Sequence, residues 1–125
     1  MNLVVWIVTG LLAAGFLMTG IMKLRTSKQE MVADPHMAWA GDFSPGMLKF
    51  IGAAEVAGAV GLILPAGVDV ATWLVPTAAI GLALVMVGAA ITHLRRREYS
   101  SIVTNAVLFA AAVFVAIERL GPQSF

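Results

Sequence analysis

The sequence predicts an all-α membrane protein, an antiparallel bundle of four transmembrane helices. Hydrophobic residues make up 60% of the 125 residues and charged residues only 12%, and the mean hydropathy is +0.92. A soluble domain of this length cannot bury so much apolar surface. The apolar residues fall into four runs, each close to the roughly 20 residues that cross a bilayer. We therefore expect one transmembrane domain over residues 1–125.

The first two predicted helices cover residues 3–22 and 47–64. Lys23 directly follows the first apolar run. No basic signal-peptide segment precedes that run, so we interpret the run as a span that the protein retains. Ser44, with proline at the next position, is typical of a helix start. We expect Pro65 to end the second helix.

The third and fourth predicted helices cover residues 71–92 and 101–117. The links before and after the third run are short, which favours antiparallel neighbours. The first connection, residues 24–44, is much longer and carries Trp39 among mixed charges. We expect it to form an ordered cap or a short helix at the membrane surface.

The charge distribution predicts the topology. Seven of the eight Lys and Arg residues fall at one side of the predicted bundle: Lys23, Arg25, Lys28, Lys49, Arg95, Arg96 and Arg97. The positive-inside rule makes that side cytoplasmic, with residues 24–44 as a cytoplasmic loop and both termini extracytoplasmic. We expect a multi-pass protein of the inner (plasma) membrane. The net charge of +1 gives no indication of a nucleic-acid partner.

Glu55 is the most informative residue because it lies near the middle of an apolar run. A carboxylate in hydrocarbon costs several kcal/mol unless it is paired, hydrated or protonated. Lys23 and His93 end helices on the cytoplasmic side, and Asn105 lies one turn into the fourth helix from that side. Side chains lean toward the N-terminus of their own helix, so all four groups should converge on one layer. We take Glu55, His93 and Lys23 as candidate catalytic residues and Asn105 as a ligand contact.

The helix face around Glu55 carries small residues. Gly52, Gly58 and Ala59 lie three or four positions from Glu55, so a ligand or another helix can approach closely. We include these three with Asn105 as candidate ligand-binding residues. Small residues four apart, such as Ala54 with Gly58, also favour helix packing.

Each polar residue has a structural interpretation as well. Lys23 suits the negative end of a helix dipole, and His93 continues the basic segment that follows it. Asn105 can form a hydrogen bond between helices, and Glu55 with Lys23 can be a structural ion pair. The acids around His36 match no metal-ligand spacing, and no cysteine is present, so we predict no metal site. No cofactor motif occurs.

Three segments resemble the DoxX-like four-helix membrane proteins, and the resemblance covers nearly the whole chain. They are Gly-x-x-Lys ending at Lys23, Glu-x-x-Gly-x-x-Gly-x-x-x-Pro beginning at Glu55, and His-x-Arg-Arg-x-Glu beginning at His93. The resemblance implies the four-helix fold and makes Lys23, Glu55 and His93 motif positions. Some members of the family are linked to quinone-coupled sulfur oxidation and others to membrane redox complexes. The architecture is also similar to the sterol-isomerase and sigma-receptor group.

Two functions follow from these residues. In the first, the cluster binds a lipophilic small molecule, with isomerisation, epoxide opening or quinone-linked proton transfer as the chemistry. In the second, the chain is an accessory or assembly subunit of a membrane redox complex, and the cluster is structural. The first predicts a small-molecule partner in the bilayer, and the second a protein partner or a second copy.

The charge bias predicts the outcome of reporter fusions. A reporter that is active only in the cytoplasm should be inactive after Phe125 and active when inserted in residues 24–44. Strong activity after Phe125 would contradict the topology.

Overall fold

The computed structural model describes residues 1–125 and contains helices but no strands. Two short helices form the first connection: α2 (Lys28–Ala33) and a 3₁₀ helix (Pro35–Asp42). The four long helices are α1 (Asn2–Arg25), α3 (Pro45–Gly67), α4 (Leu74–Arg95) and α5 (Tyr99–Leu120). All four are long and apolar enough to cross a membrane. The predicted all-α bundle with four spanning helices is confirmed.

The long helices form a ring in the order α1, α3, α4, α5, and each packs against its two neighbours in that ring. The apolar core receives side chains from each of the four long helices, among them Phe16, Leu62, Leu82 and Val115. The outer surface is also apolar, with residues such as Leu11, Leu84 and Val107 exposed. Hydrocarbon chains match such a surface better than water does.

Every end of the four long helices lies one to three residues from its predicted boundary, and two of these differences concern residues that the sequence analysis named. Pro65 lies inside α3, which continues to Gly67. A proline here removes one backbone hydrogen bond in the last turn, where little of the helix remains to be broken. At the far end of α4 the helix continues to Arg95, so His93 is a helical residue and not the first residue after the helix.

The first connection is an ordered cap, as the sequence predicts. Ser27 and Ser44 each accept a hydrogen bond from a backbone N–H three residues later, and so begin α2 and α3. Met31, Ala40 and Leu48 form a second apolar cluster that holds the cap against the start of α3. We call the bundle end beneath this cap the basic end, because the C-termini of α1 and α4 lie there and both carry basic residues in their last turn.

Lys49 joins α3 to the C-terminus of α1. Its Nζ donates to the carbonyl oxygens of Lys23, Leu24 and Thr26 at 2.8–3.1 Å. The last carbonyls of a helix have no partner within the helix, and a cation there also meets the negative end of the helix dipole. Lys49 on α3 therefore stabilises the C-terminus of α1.

Helices α1 and α3 cross at Gly20 and Gly52. A Cβ atom on Gly20 would lie 2.8 Å from the carbonyl oxygen of Gly52 and 2.8 Å from a methyl carbon of Val56. One on Gly52 would lie 3.0 Å from the carbonyl oxygen of Gly20 and 2.9 Å from the Cβ of Lys23. Only hydrogen fits at both positions, since the backbones are nearly in contact.

The crossing predicts that replacing glycine by alanine changes the melting temperature differently at two positions of α1. Gly20→Ala should lower the melting temperature in detergent, because overpacking costs about 1–3 kcal/mol. Gly10→Ala should leave it unchanged or raise it, because a Cβ there meets nothing within 4 Å and alanine favours helix. Equal melting shifts for the two variants would contradict the close crossing.

Candidate functional site

Glu55 and Lys23 form a buried ion pair. The Lys23 Nζ lies 2.6 Å from Glu55 Oε1, and the two residues are only 8% and 2% exposed. The hydroxyl of Thr19 lies 3.2 Å from Glu55 Oε2, so both carboxylate oxygens have partners. The expected direct contact between Glu55 and Lys23 is present. Removing one partner of such a pair is costly, because the other charge stays buried.

The helix crossing brings this pair together. Gly20 and Lys23 lie one turn apart on α1, and Gly52 and Glu55 lie one turn apart on α3. Residues three apart share a helix face, so contact between the glycines aligns the two charged side chains. Lys49, the other lysine at this end, bonds to backbone carbonyls of α1 instead.

His93 is paired with Glu98, not with Glu55. Its Nδ1 lies 2.9 Å from Glu98 Oε1. The chain leaves α4 through Arg97, whose φ of 58° turns it back, and the Glu98 N–H donates to the His93 carbonyl oxygen. This turn places the Glu98 carboxylate beside the imidazole. Glu98 was not among the predicted site residues, although it ends the motif that contains His93.

The cap reaches the site through Trp39. The Lys23 Nζ lies 5.7 Å from the Trp39 ring centre, a distance suited to a cation–π contact. The Trp39 ring also meets the His93 ring edge to face at 6.1 Å. Arg96 adds a link at 3.2 Å to Asp42 in the cap and lies 3.5 Å from Glu98. Trp39 was predicted as part of the cap but not of the site. The available signal was an aromatic residue in the connection that follows the basic end of the first helix.

Lys23, Glu55, His93 and Asn105 all line one cavity of about 450 Å³ near the basic end. This volume is in the range of sites for small organic molecules. The exposed side chains of Thr19 and Thr104 lie in its wall, so it is open to the surroundings. The rest of the lining is largely apolar: Gly15, Phe16, Met18, Trp39, Phe43, Ile51, Val85, Met86, Gly88, Ala89, Thr92 and Leu108.

Asn105 is buried with an incomplete set of hydrogen bonds. Its Nδ2 lies 3.5 Å from the sulfur of Met86, and its Oδ1 has no partner in the protein. A thioether sulfur accepts but cannot donate, so the amide nitrogen must be the atom that faces it. An unpaired buried acceptor costs about 1–3 kcal/mol, which a ligand or water that reaches it would recover.

The three small residues near Glu55 lie outside the lining of this cavity. Gly52 faces α1, and Gly58 faces α4, where a Cβ would lie 2.7 Å from Leu82. Ala59 is part of the apolar core. Their ligand contacts stay a prediction, and close helix packing is the role that their positions explain.

A second buried charge, Arg119, lies at the opposite end of the bundle. Its Nη1 donates to Asn2 Oδ1 at 2.7 Å and to the Gln123 carbonyl oxygen at 2.8 Å. The guanidinium lies 5.3 Å from the Trp6 ring centre and 4.1 Å from that of Phe125. These contacts tie the end of α5 to the start of α1. Arg119 is the one Lys or Arg residue that lies away from the basic end.

The comparisons with known proteins identify one family. A sequence model of the DoxX-like family matches residues 7–115, which include all four long helices in large part. No curated protein and no solved structure matches the chain.

The ion pair predicts a stability rescue. Lys23→Met should destabilise the bundle by about 3–5 kcal/mol, because it leaves the Glu55 carboxylate buried without a counter-charge. Adding Glu55→Gln should restore most of that loss, since the neutral amide no longer needs a cation. Lys28→Met, at a lysine without a hydrogen bond to another side chain, is the control and should change little. Additive effects of the two substitutions in thermal or denaturant unfolding would show that the pair is not coupled.

Proposed function

The chain belongs to the DoxX-like family, and from that premise we propose that this multi-pass membrane protein binds a lipophilic small molecule in the cavity near the basic end. The observation that carries the proposal is the composition of the cavity wall. Polar groups from α1, α3, α4 and α5 meet there, and most of the remaining wall is apolar. A few convergent polar groups in an apolar pocket are typical of sites that orient a small molecule.

The position of the cavity supports a ligand that comes from the bilayer. Its polar residues lie toward the basic end, and apolar residues such as Phe16, Val85 and Leu108 extend it along the helices. A molecule with a polar head and a hydrocarbon body would place the head in the polar part of the wall, which contains Lys23, Glu55 and His93. Its body would then replace lipid against the apolar wall.

The groups in the wall can support proton transfer. Glu55 and His93 can each give or accept a proton, and Lys23 can stabilise negative charge that develops on a bound molecule. Isomerisation, epoxide opening and quinone-linked chemistry all use such transfers. We propose this as the class of chemistry if the site is catalytic.

One observation favours the alternative, an accessory or assembly subunit of a membrane redox complex. Both oxygens of Glu55 already have partners inside the protein, Lys23 and Thr19. A satisfied pair can serve helix packing alone. The two functions differ in whether the cavity holds a molecule when the protein is isolated.

We also propose the topology from the charge bias, with the basic end facing the cytoplasm of a cell with an inner (plasma) membrane and both termini on the other side. The cap over the cavity would then face the cytoplasm.

Filling the cavity should displace a bound molecule without unfolding the bundle. A Cβ on Gly15 meets nothing within 4 Å, and Gly15 lines the cavity, so Gly15→Leu should occupy part of its volume. Gly10→Leu is the matched control, since Gly10 is equally open but is not part of this wall. Native mass spectrometry of the detergent-purified proteins should show a co-purified small molecule with the wild type and with Gly10→Leu, and little or none with Gly15→Leu.

Equal retention by both variants would place any bound molecule outside the cavity and contradict the proposal. A wild-type protein that carries no small molecule, but co-purifies with a membrane protein partner, would favour the accessory subunit.

A further inference from the structure

The two ring nitrogens of His93 have different surroundings. Nδ1 lies 2.9 Å from Glu98 Oε1, whereas Nε2 makes no hydrogen bond to another protein atom. The His93 side chain is 12% exposed and lines the cavity. The ring therefore has one nitrogen held by the protein and one left for another partner.

The carboxylate of Glu98 determines which nitrogen carries the proton. An ionised carboxylate only accepts hydrogen bonds, so Nδ1 must be the donor in this contact. In the uncharged imidazole the proton is then on Nδ1, and Nε2 presents a lone pair. Glu98 is itself held by Arg96 at 3.5 Å, and the Trp39 ring restrains the imidazole from the cap side.

We propose that His93 Nε2 accepts a hydrogen bond from a hydroxyl group of the bound molecule, and that Glu98 is the positioning residue that holds the imidazole in this tautomer. The inference rests on the proposed function, because it names the ligand class of the same cavity. The ligand is then a neutral lipophilic molecule with a hydroxyl head. Neither Glu98 nor this orientation of His93 follows from the family match.

The charge balance of the cavity wall supports a neutral ligand. Its one lysine and its one carboxylate, Lys23 and Glu55, are paired with each other. A charged head group would have no free counter-charge in the wall, and its desolvation would oppose binding. A hydroxyl donor needs only an acceptor, which the Nε2 lone pair provides.

The tautomer can be measured directly by ¹⁵N NMR of histidine-labelled protein in detergent micelles. His36→Gln removes the only other histidine, an exposed residue of the cap. His93 should show the proton on Nδ1 in this protein, and Glu98→Ala should produce a mixture of tautomers. A proton on Nε2 with Glu98 present would overturn the proposal.

Ligand class is tested with a matched pair of probes, para-hexylphenol and para-hexylanisole. The methyl ether has nearly the same shape and apolar surface but cannot donate a hydrogen bond. The wild type should bind the phenol about five- to tenfold more tightly, the ratio that corresponds to one net hydrogen bond. The phenol alone should shift the Nε2 resonance. The affinity ratio should fall to roughly one in His93→Phe, which keeps a ring against Trp39, while His36→Gln should leave it unchanged.

The outcomes separate the two claims. If the wild type binds neither probe, the proposed function itself is contradicted, and this inference with it. If both probes bind with equal affinity, or if the preference for the phenol survives in His93→Phe, the assignment of His93 is wrong while a lipophilic site stands.

Discussion

Burying the Glu55 carboxylate near the middle of an apolar helix is the constraint on which the rest of this structure depends. Low-polarity surroundings cannot accept the charge without a close cation, and Lys23 supplies one at 2.6 Å. The contact requires α1 and α3 to cross with their backbones nearly touching, which Gly20 and Gly52 permit. On each of the two helices the glycine lies one turn from the charged residue, so the crossing and the ion pair form one packing unit.

This unit divides the bundle into two halves of different character. Away from the basic end, apolar side chains such as Leu62 and Leu82 are buried in the interior. Toward the basic end, polar residues replace them, and an open cavity of about 450 Å³ remains. The cap, through Trp39 and Asp42, closes this end from above.

The charged residues that surround the cavity have separate partners. Lys49 bonds to the end of α1, Arg96 to Asp42 and Glu98, and Lys23 to Glu55. Because these pairings leave no free charge at the cavity, the neutral groups of its wall, chiefly the His93 imidazole and the Asn105 amide, are the ones available to the ligand that we propose. At the opposite end Arg119 is enclosed by two aromatic rings, which stabilise its charge where no carboxylate side chain bonds to it.

Hydropathy, helix caps and the positions of charged residues are properties of short segments. They were sufficient to predict four helices long and apolar enough to span a membrane and a helical connection between the first two, and they singled out Glu55, Lys23, His93 and Asn105 as the polar groups to examine. They could not decide which of these groups pair, because several lie at similar depth and the choice depends on how each helix is rotated about its axis. The close crossing at Gly20 and Gly52 determines the rotation of α1 and α3, and with that rotation Glu55 pairs with Lys23. The positive φ of Arg97 turns the chain back, so that Glu98 pairs with His93. The sequence also showed that three residues near Glu55 are small, namely Gly52, Gly58 and Ala59. Only the packing of the helices decided that other parts of the protein fill the space beside them.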